Sequence, residues 1–401
     1  MKTVRCWGPA LLATAVSVSA DKEKPLKDEG LASLVSMIRP DMKFGCHMGF
    51  KLQNDWDSAD KERAVIIKEF NVVSTGIYQK STERTAGTWM LSDVDRSVEF
   101  AAAHNQAIYF HPMFGQNLYN PPWLLEANYT DRQIRAYMDQ RIEKLAKRYA
   151  DTVTYLDVYN ELIKNEWPDP GNPWKEEGTG AIYPTALEHL FQQLGSRTMG
   201  GFTWPVALEE AFVKCRKAFG PDVKLIYNEA YNVNADHTQS LGCIALFNAF
   251  KARGIPIDGI GIQLHMNIGH RGKEDHLRVG AGGEQGPLDF ESFSLNMERL
   301  AATGAEIYIT ECDVNLKGRS SKEELLRWQG EVYVEALERC LDQPACKLFK
   351  IWGTSDRYSW KGMDTEAMLW DFDCEPKPAY FALKKKLIER VQKKACLAPR
   401  L

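Results

Sequence analysis

The chain has 401 residues, of which 44% are hydrophobic and 26% charged, proportions that exclude a disordered, collagen-like or coiled-coil protein. Fifty Lys and Arg against 54 Asp and Glu leave a net charge of -4. That balance lacks the basic footprint of a nucleic-acid or anionic-membrane binder, so neither partner is expected.

At the N-terminus Lys2 and Arg5 precede the apolar stretch Ala10–Val16, small residues reach Ala20, and the charged run Asp21-Lys22-Glu23-Lys24 follows. This order predicts a secretory signal over residues 1–20, leaving one domain over 21–401. A membrane anchor would need about 20 consecutive apolar residues, which the segment does not supply. Removing Cys6 with the leader leaves eight cysteines, an even number that suggests disulfides in an oxidising compartment, though eight allow 105 pairings. Cys340 and Cys346, flanking Asp342-Gln343-Pro344, are the best pair. No Cys or His cluster has zinc spacing, so no metal or other cofactor is expected. Asn128-Tyr129-Thr130 is a glycosylation sequon, compatible with secretion.

Past the leader, short β-rich runs alternate with helical patterns. The runs are 42–48, 71–77, 107–111, 153–160, 223–228, 258–265, 306–310 and 347–352. Ser92 and Asp95 have capping spacing ahead of Val94, Val98, Ala101 and Ala102, which share one helical face. Thr130 with Gln133 opens a second helix. Leu208, Ala211, Phe212, Cys215 and Phe219 line a third, which Gly220-Pro221 ends. Eight strands alternating with helices predict a single (β/α)8 TIM barrel of the α/β class. The alternative, an open doubly wound sheet, would carry a Gly-rich turn after its first strand, and 42–50 has none.

In such a barrel, function gathers at the C-terminal ends of the strands. Those ends are polar here: His111, Asn160-Glu161, Asn228-Glu229, Gln263 with His265, Glu311 with Asp313, and Trp352. One glutamate after a strand is commonly a loop or helix-start residue; the whole set together is harder to explain that way. Two carboxylates facing each other across a barrel mouth suit glycoside hydrolysis, in which one protonates the leaving oxygen and the other attacks or positions water. The 11 tryptophans offer faces for sugar rings. Glu161, Glu229 and Glu311 compete for the two roles, because Tyr227-Asn228-Glu229 mimics Tyr159-Asn160-Glu161.

From about Phe44 to Ala382 the chain resembles the glycoside hydrolase family 10 endo-β-1,4-xylanases. Leu156-Asp157-Val158-Tyr159-Asn160-Glu161 is similar to that family's strand-4 acid/base motif. Ile309-Thr310-Glu311-Cys312-Asp313-Val314 is similar to its strand-7 nucleophile motif, with Cys312 where the family usually has Leu. Gly261-Ile262-Gln263-Leu264-His265, the run from Trp352 to Trp360, and Pro376-Lys377-Pro378-Ala379-Tyr380 fit as well. The resemblance implies Glu161 as general acid/base and Glu311 as nucleophile of a retaining enzyme. It further implies that Gln263 or His265 hydrogen-bonds Glu311, with Asp313 and Glu229 supporting from behind. Lys80, His111, Asn160, Tyr231, Trp352 and Trp360 fall at sugar-binding positions, Tyr231 stacking near the leaving group.

The chain departs from the family on the glycone side. Gly76-Ile77 stand where the family has Glu-Asn, Ser81 where it has Trp, and Gly115 replaces a second Trp, while Lys80 and His111 remain. Lost hydroxyl partners change discrimination, and lost rings are expected to open space there. The long loop from Leu162 to Gly201, with Trp167, Trp174, Tyr183 and Met199, is either a surface embellishment or a wall beside the leaving group. Three functions are in view: a secreted monomeric xylanase acting on plant polysaccharide; the same machinery on another β-glycoside, as in the tomatinases that deglycosylate a steroidal glycoalkaloid; and an inactive sugar- or enzyme-binding decoy. Retention of both glutamates argues against the decoy.

Overall fold

The computed structural model describes residues 25–397 apart from 116–119, 127, 164–190, 192, 200, 269–276, 280–284 and 317–320. The expected leader and Trp167, Trp174 and Tyr183 therefore lie outside the described residues, as does the side chain of Met199.

Eight parallel strands close into a barrel: β1 (Lys43–Met48), β2 (Val72–Gly76), β3 (Ala107–His111), β4 (Val153–Asn160), β5 (Lys224–Glu229), β6 (Gly259–Ile268), β7 (Glu306–Leu316) and β8 (Cys346–Ile351). Each pairs with the next, and β8 returns to β1 with Lys43 opposite Leu348 and Cys46 opposite Ile351. The architecture is the expected TIM barrel. β6 and β7 run further than expected, because their pairing continues from Asp313 opposite His265 to Leu316 opposite Ile268.

The helix after each strand carries the same number: α1 (Asp60–Glu69), α2 (Ser92–Ala103), α3 (Asp131–Tyr149), α4 (Val206–Phe219), α5 (Thr238–Ala252), α6 (Phe290–Ala302), α7 (Lys322–Asp342) and α8 (Pro378–Leu397). Thr130 caps α3 through a reciprocal box with Gln133. Gly220 ends α4 at φ 84°, a conformation that costs a side-chain-bearing residue more. The expected cap at Ser92 does not form: Leu91 occupies the cap position, Ser92 is already helical, and Asp95 instead accepts from Arg148 and Tyr149. Among the described residues the cysteines are free thiols. The disulfide expected between Cys340 and Cys346 is not formed: both are buried free thiols, and Cys346 Sγ donates to the Leu348 carbonyl at 3.7 Å. No described helix is long and apolar enough to cross a membrane.

The barrel interior is layered with the period of two that strands impose. The lower layer is Val72, Tyr109, Tyr155, Ile226, Tyr308 and Leu348, all buried together. Two residues further along the same strands come Ser74, His111, Asp157, Asn228, Thr310 and Lys350, also buried but polar. An apolar floor therefore supports a polar layer, and a polar layer inside a protein must find internal partners.

One more buried cation shapes the mouth. Arg141 of α3 is fully enclosed and donates to the carbonyl of Met113 at 2.9 Å, to that of Ile77, and to Thr82 Oγ1 at 3.2 Å. It thereby joins the connections that leave β2 and β3.

Candidate active site

The partners of the polar layer are mostly one another. Asn228 is the hub. Its Nδ2 donates to Asn160 Oδ1 at 2.9 Å and to Glu311 Oε1 at 2.8 Å, while its Oδ1 accepts from Thr310 Oγ1 at 2.6 Å. Gln263 Nε2 donates to Glu161 Oε1 at 2.7 Å and to Asn160 Oδ1 at 3.1 Å. Glu161 and Glu311 thus flank a single amide cluster contributed by β4, β5 and β6. Of the two residues expected to hydrogen-bond Glu311, His265 does so, while Gln263 serves Glu161.

Glu161 sits at φ 60°, in the left-handed region that glutamate seldom adopts. Its backbone N–H donates to Asn228 O at 2.9 Å. The next two amides, of Leu162 and Ile163, donate to Glu229 Oε2 at 3.1 and 2.9 Å, and Tyr227 OH donates to the same oxygen. Glu229 Oε1 accepts from Ala230 N at 2.9 Å. Glu229 is therefore fully engaged in holding the turn that presents Glu161, which removes it from the contest for a catalytic role. Burial, added to by the charge of Glu311, pushes the Glu161 carboxyl up to about 7, against the pull of Gln263.

Glu311 is buried and receives two donors. Besides Asn228, His265 Nε2 approaches Oε2 at 3.2 Å, and His265 Nδ1 bonds Asp313 Oδ2 at 2.8 Å. Burial alone would drive His265 neutral, but the charge and hydrogen bond of Asp313 and the bond to Glu311 outweigh it and raise the imidazole to about 9. Asp313 Oδ2 also accepts from Trp360 Nε1 at 2.8 Å, so one carboxylate orients both the histidine and the aromatic ring.

His111 lies opposite. Its Nδ1 is 2.6 Å from Asp157 Oδ2, its Nε2 is 3.8 Å from Glu311 Oε1, and burial lowers its pKa to about 3. A neutral imidazole that donates from Nδ1 presents Nε2 as an acceptor. Trp352 stands edge-on to His111 and stacks on His47 at 3.9 Å between ring centroids.

The glycone side follows the sequence in part. Lys80 is exposed on the short helix Gln79–Thr82, and no hydrogen bond or ion pair joins it to the cluster among the described residues. Gly76 does not leave open space. A Cβ there would fall 2.6 Å from the ring of Tyr78, which packs edge-on against His111 at 5.4 Å. Tyr78 thus takes up room that the missing glutamate would need. Gly115 pairs with Asn160 in a short bridge beside β4. Tyr231, left-handed at φ 61°, accepts at its carbonyl from His237 Nδ1 at 3.0 Å. Two further motifs meet each other: Lys377 Nζ lies 3.0 Å from Asp356 Oδ2, both nearly fully buried, so the run after Trp352 is tied to α8.

Asn228 was expected only as a polar strand end, and Asp157, Tyr109, His47, Lys350 and Tyr78 were not among the expected site residues. All but Tyr78 stand at inward parity on their strands, a signal present in the sequence once the barrel is assumed.

A closed parallel barrel whose mouth holds two glutamates on one amide cluster, between a paired imidazole and an indole, defines a hydrolase of O-glycosidic bonds. The chain belongs to glycosyl hydrolase family 10, whose model matches residues 38–386. Endo-1,4-beta-xylanase B of Thermotoga neapolitana is 27% identical over 362 residues, covering 88% of this chain and 91% of that protein. Endo-1,4-beta-xylanase 2 of Aureobasidium pullulans is 26% identical, covering 76% of each. The crystal structure of xylanase 10B from Thermotoga petrophila in complex with xylobiose is similar at a TM-score of 0.73 and 25% identity, covering 90% of this chain and 98% of that one. Family 10 enzymes retain anomeric configuration, and this chain is a retaining glycoside hydrolase.

Proposed function

We propose that the protein is a secreted, monomeric endo-1,4-β-xylanase-like enzyme in which Glu161 is general acid/base and Glu311 nucleophile. The observation that carries this reading is the asymmetry of the pair. Glu161 meets a neutral amide and favours its protonated form near neutrality, whereas Glu311 receives an amide and a charged imidazole. In the first step Glu311 forms a bond to the anomeric carbon as the bond from that carbon to the glycosidic oxygen breaks, and Glu161 delivers its proton to that oxygen so that it leaves as an alcohol. In the second, Glu161 removes a proton from the water that releases the sugar. The xylanase relatives support a β-1,4-xylan substrate. The leader, and the exposed sequon at Asn128, support export with glycosylation.

A second reading has its own observation. Gly76-Ile77, Ser81 and Tyr78 replace or cover the positions that grip xylose units in the family, which favours the same chemistry on a different β-glycoside, such as a steroidal glycoalkaloid. Sugar release from xylan, cello-oligosaccharides and a saponin, compared at equal enzyme, tests both. Preferential xylan cleavage upholds the first reading and preferential saponin cleavage the second. No turnover on any of them would leave a decoy.

A further inference from the structure

Lys350 has no counterpart in the machinery above. It lies on β8, completely buried, and no carboxylate forms an ion pair with it among the described residues. Its Nζ donates to Ser74 Oγ at 3.0 Å and sits 3.9 Å from the centroid of the Tyr109 ring and 4.7 Å from that of Trp352. Ser74 Oγ is in turn 2.9 Å from His47 Nδ1. The strand opposite makes room: Lys350 pairs with Gly45 of β1, where a Cβ would stand 3.3 Å from the lysine Cγ. An ammonium held this way, by one hydroxyl and two aromatic faces, retains a charge whose field reaches its surroundings undiminished by a contact partner.

The groups facing it are known from every adjoining strand: Cys46 and His47 on β1, Ser74 on β2, Tyr109 and His111 on β3, Asp157 on β4, and Glu311 on β7. Asp157 and Glu311 are the carboxyl groups among them. Tyr109, whose face covers the ammonium, donates its hydroxyl to Asp157 Oδ1, and Asp157 Oδ2 holds His111 Nδ1. A path of contacts therefore runs from Lys350 through Tyr109 and Asp157 to His111, whose Nε2 faces Glu311.

We propose that Lys350 is a positioning residue: its buried charge favours the carboxylate form of Asp157, and with it the His111 tautomer that carries its proton on Nδ1 and offers Nε2 to a sugar hydroxyl beside Glu311. Burial pushes the Asp157 carboxyl up to about 7, and Lys350 is the leading influence that opposes it, so the charge decides on which side of neutrality the tautomer switches. Without the ammonium, Asp157 holds its proton to higher pH. The protonated acid then donates to His111 Nδ1, the ring proton shifts to Nε2, and a donor replaces the acceptor at the sugar.

This inference rests on the proposed roles of Glu161 and Glu311 for its kinetic consequence, but not for the tautomer. Lys350→Met and Lys350→Gln remove the charge, and Lys350→Arg keeps it. Imidazole nitrogen shifts of His111, followed against pH by NMR, report the tautomer directly. In both neutral variants the pH at which the tautomer switches is expected to rise by about one unit or more, the scale on which a nearby opposite charge acts. The acid limb of kcat/KM for the best β-glycoside moves with it, and Lys350→Arg restores both. Folded neutral variants with the wild-type tautomer and acid limb would overturn the proposal. So would collapse of both neutral variants while Lys350→Arg folds, since the lysine would then be structural. A wild-type enzyme that turns over no β-glycoside defeats the functional reading instead, and the NMR result still decides the role of Lys350.

Discussion

The two sides of the barrel mouth have been treated differently. On β4 to β7 Glu161 and Glu311 sit within the strands or one residue past them, and the side chains that orient the pair come from those strands and their neighbours: Asn160, Asn228, Gln263, His265, Asp313. At the end of β2 and on the connections after β2 and β3, the chain keeps the scaffold but not the expected contacts: Gly76, Ile77, Ser81 and Gly115 stand where sugar-binding groups are expected, and Tyr78 fills the space beside Gly76. The ladder of a barrel fixes geometry to a few tenths of an ångström, so bond-breaking groups placed there cannot drift singly. Loops tolerate replacement. Reaction and specificity are thereby separated in space, and each can be perturbed without the other.

The sharpest break on the conserved side is Glu311→Ala, expected to cut kcat on every substrate by on the order of 10^4-fold or more, read by steady-state kinetics. Glu161→Ala should cost about 10^2- to 10^4-fold on natural substrates yet far less on activated aryl glycosides, whose leaving group needs no proton. Equal losses on both substrate types would remove Glu161 from the acid role. Glu229→Gln keeps the size of the side chain but turns an amide donor toward the backbone N–H groups of Leu162 and Ile163. It should lower stability by about 1–3 kcal/mol in urea unfolding and reduce kcat with little change in KM, because the turn presenting Glu161 loosens. On the altered side, Gly76→Glu alone should weaken binding, since its Cβ meets Tyr78, whereas Gly76→Glu with Tyr78→Ala should lower KM for xylo-oligosaccharides by about tenfold. Unchanged kcat in that double variant would confirm the separation; a collapse of kcat would refute it.

The smallest expected effect is in pH dependence. In the proposed acid role Glu161 must be protonated to donate, so kcat/KM for natural substrates should fall as pH rises through about 7. Stability should decline in the same region. Glu161 and Glu229, raised to about 7 and 8, are favoured in the fold at low pH, and that preference is lost as pH rises through those values. His265, raised to about 9, acts in the same sense above its ordinary 6.5, while His111, lowered to about 3, has completed its opposing effect by then. Between pH 6.5 and 8 these groups pull together, and Tm should fall across that window in a thermal melt.

Much of this was legible in the sequence. Eight β-rich runs forecast eight strands, six of them to within about a residue and the β6 and β7 runs too short at their C-terminal ends, since each is bounded by a turn and followed by a helical pattern. Thr130 and Gly220 announced their helix ends through local hydrogen bonding and backbone freedom, both encoded within a few residues. Ser92 failed because capping spacing alone does not decide which residue turns out of the helix. The residues alone left Glu229 in the contest and only the resemblance set it behind the pair; the backbone amides of Leu162 and Ile163 that it holds are invisible to residue type. Tyr78 was missed for a related reason, as a replacement two positions away can fill a gap that alignment shows as a loss. Lys350 and Asp157 could have been found by parity, because Leu348, Lys350 and Trp352 alternate inward along β8. A lysine in that series is the anomaly that composition conceals.

Arg141 gives the altered side a property of its own. One guanidinium grips a carbonyl from each of two neighbouring connections and the hydroxyl of Thr82, with nothing but protein around it. The segments that follow β2 and β3 are thus mechanically one piece. An insertion or shift in either displaces the shared anchor, so any change of sugar preference acquired there must arise in both segments at once or be confined to side chains that leave the three tethered atoms where they stand.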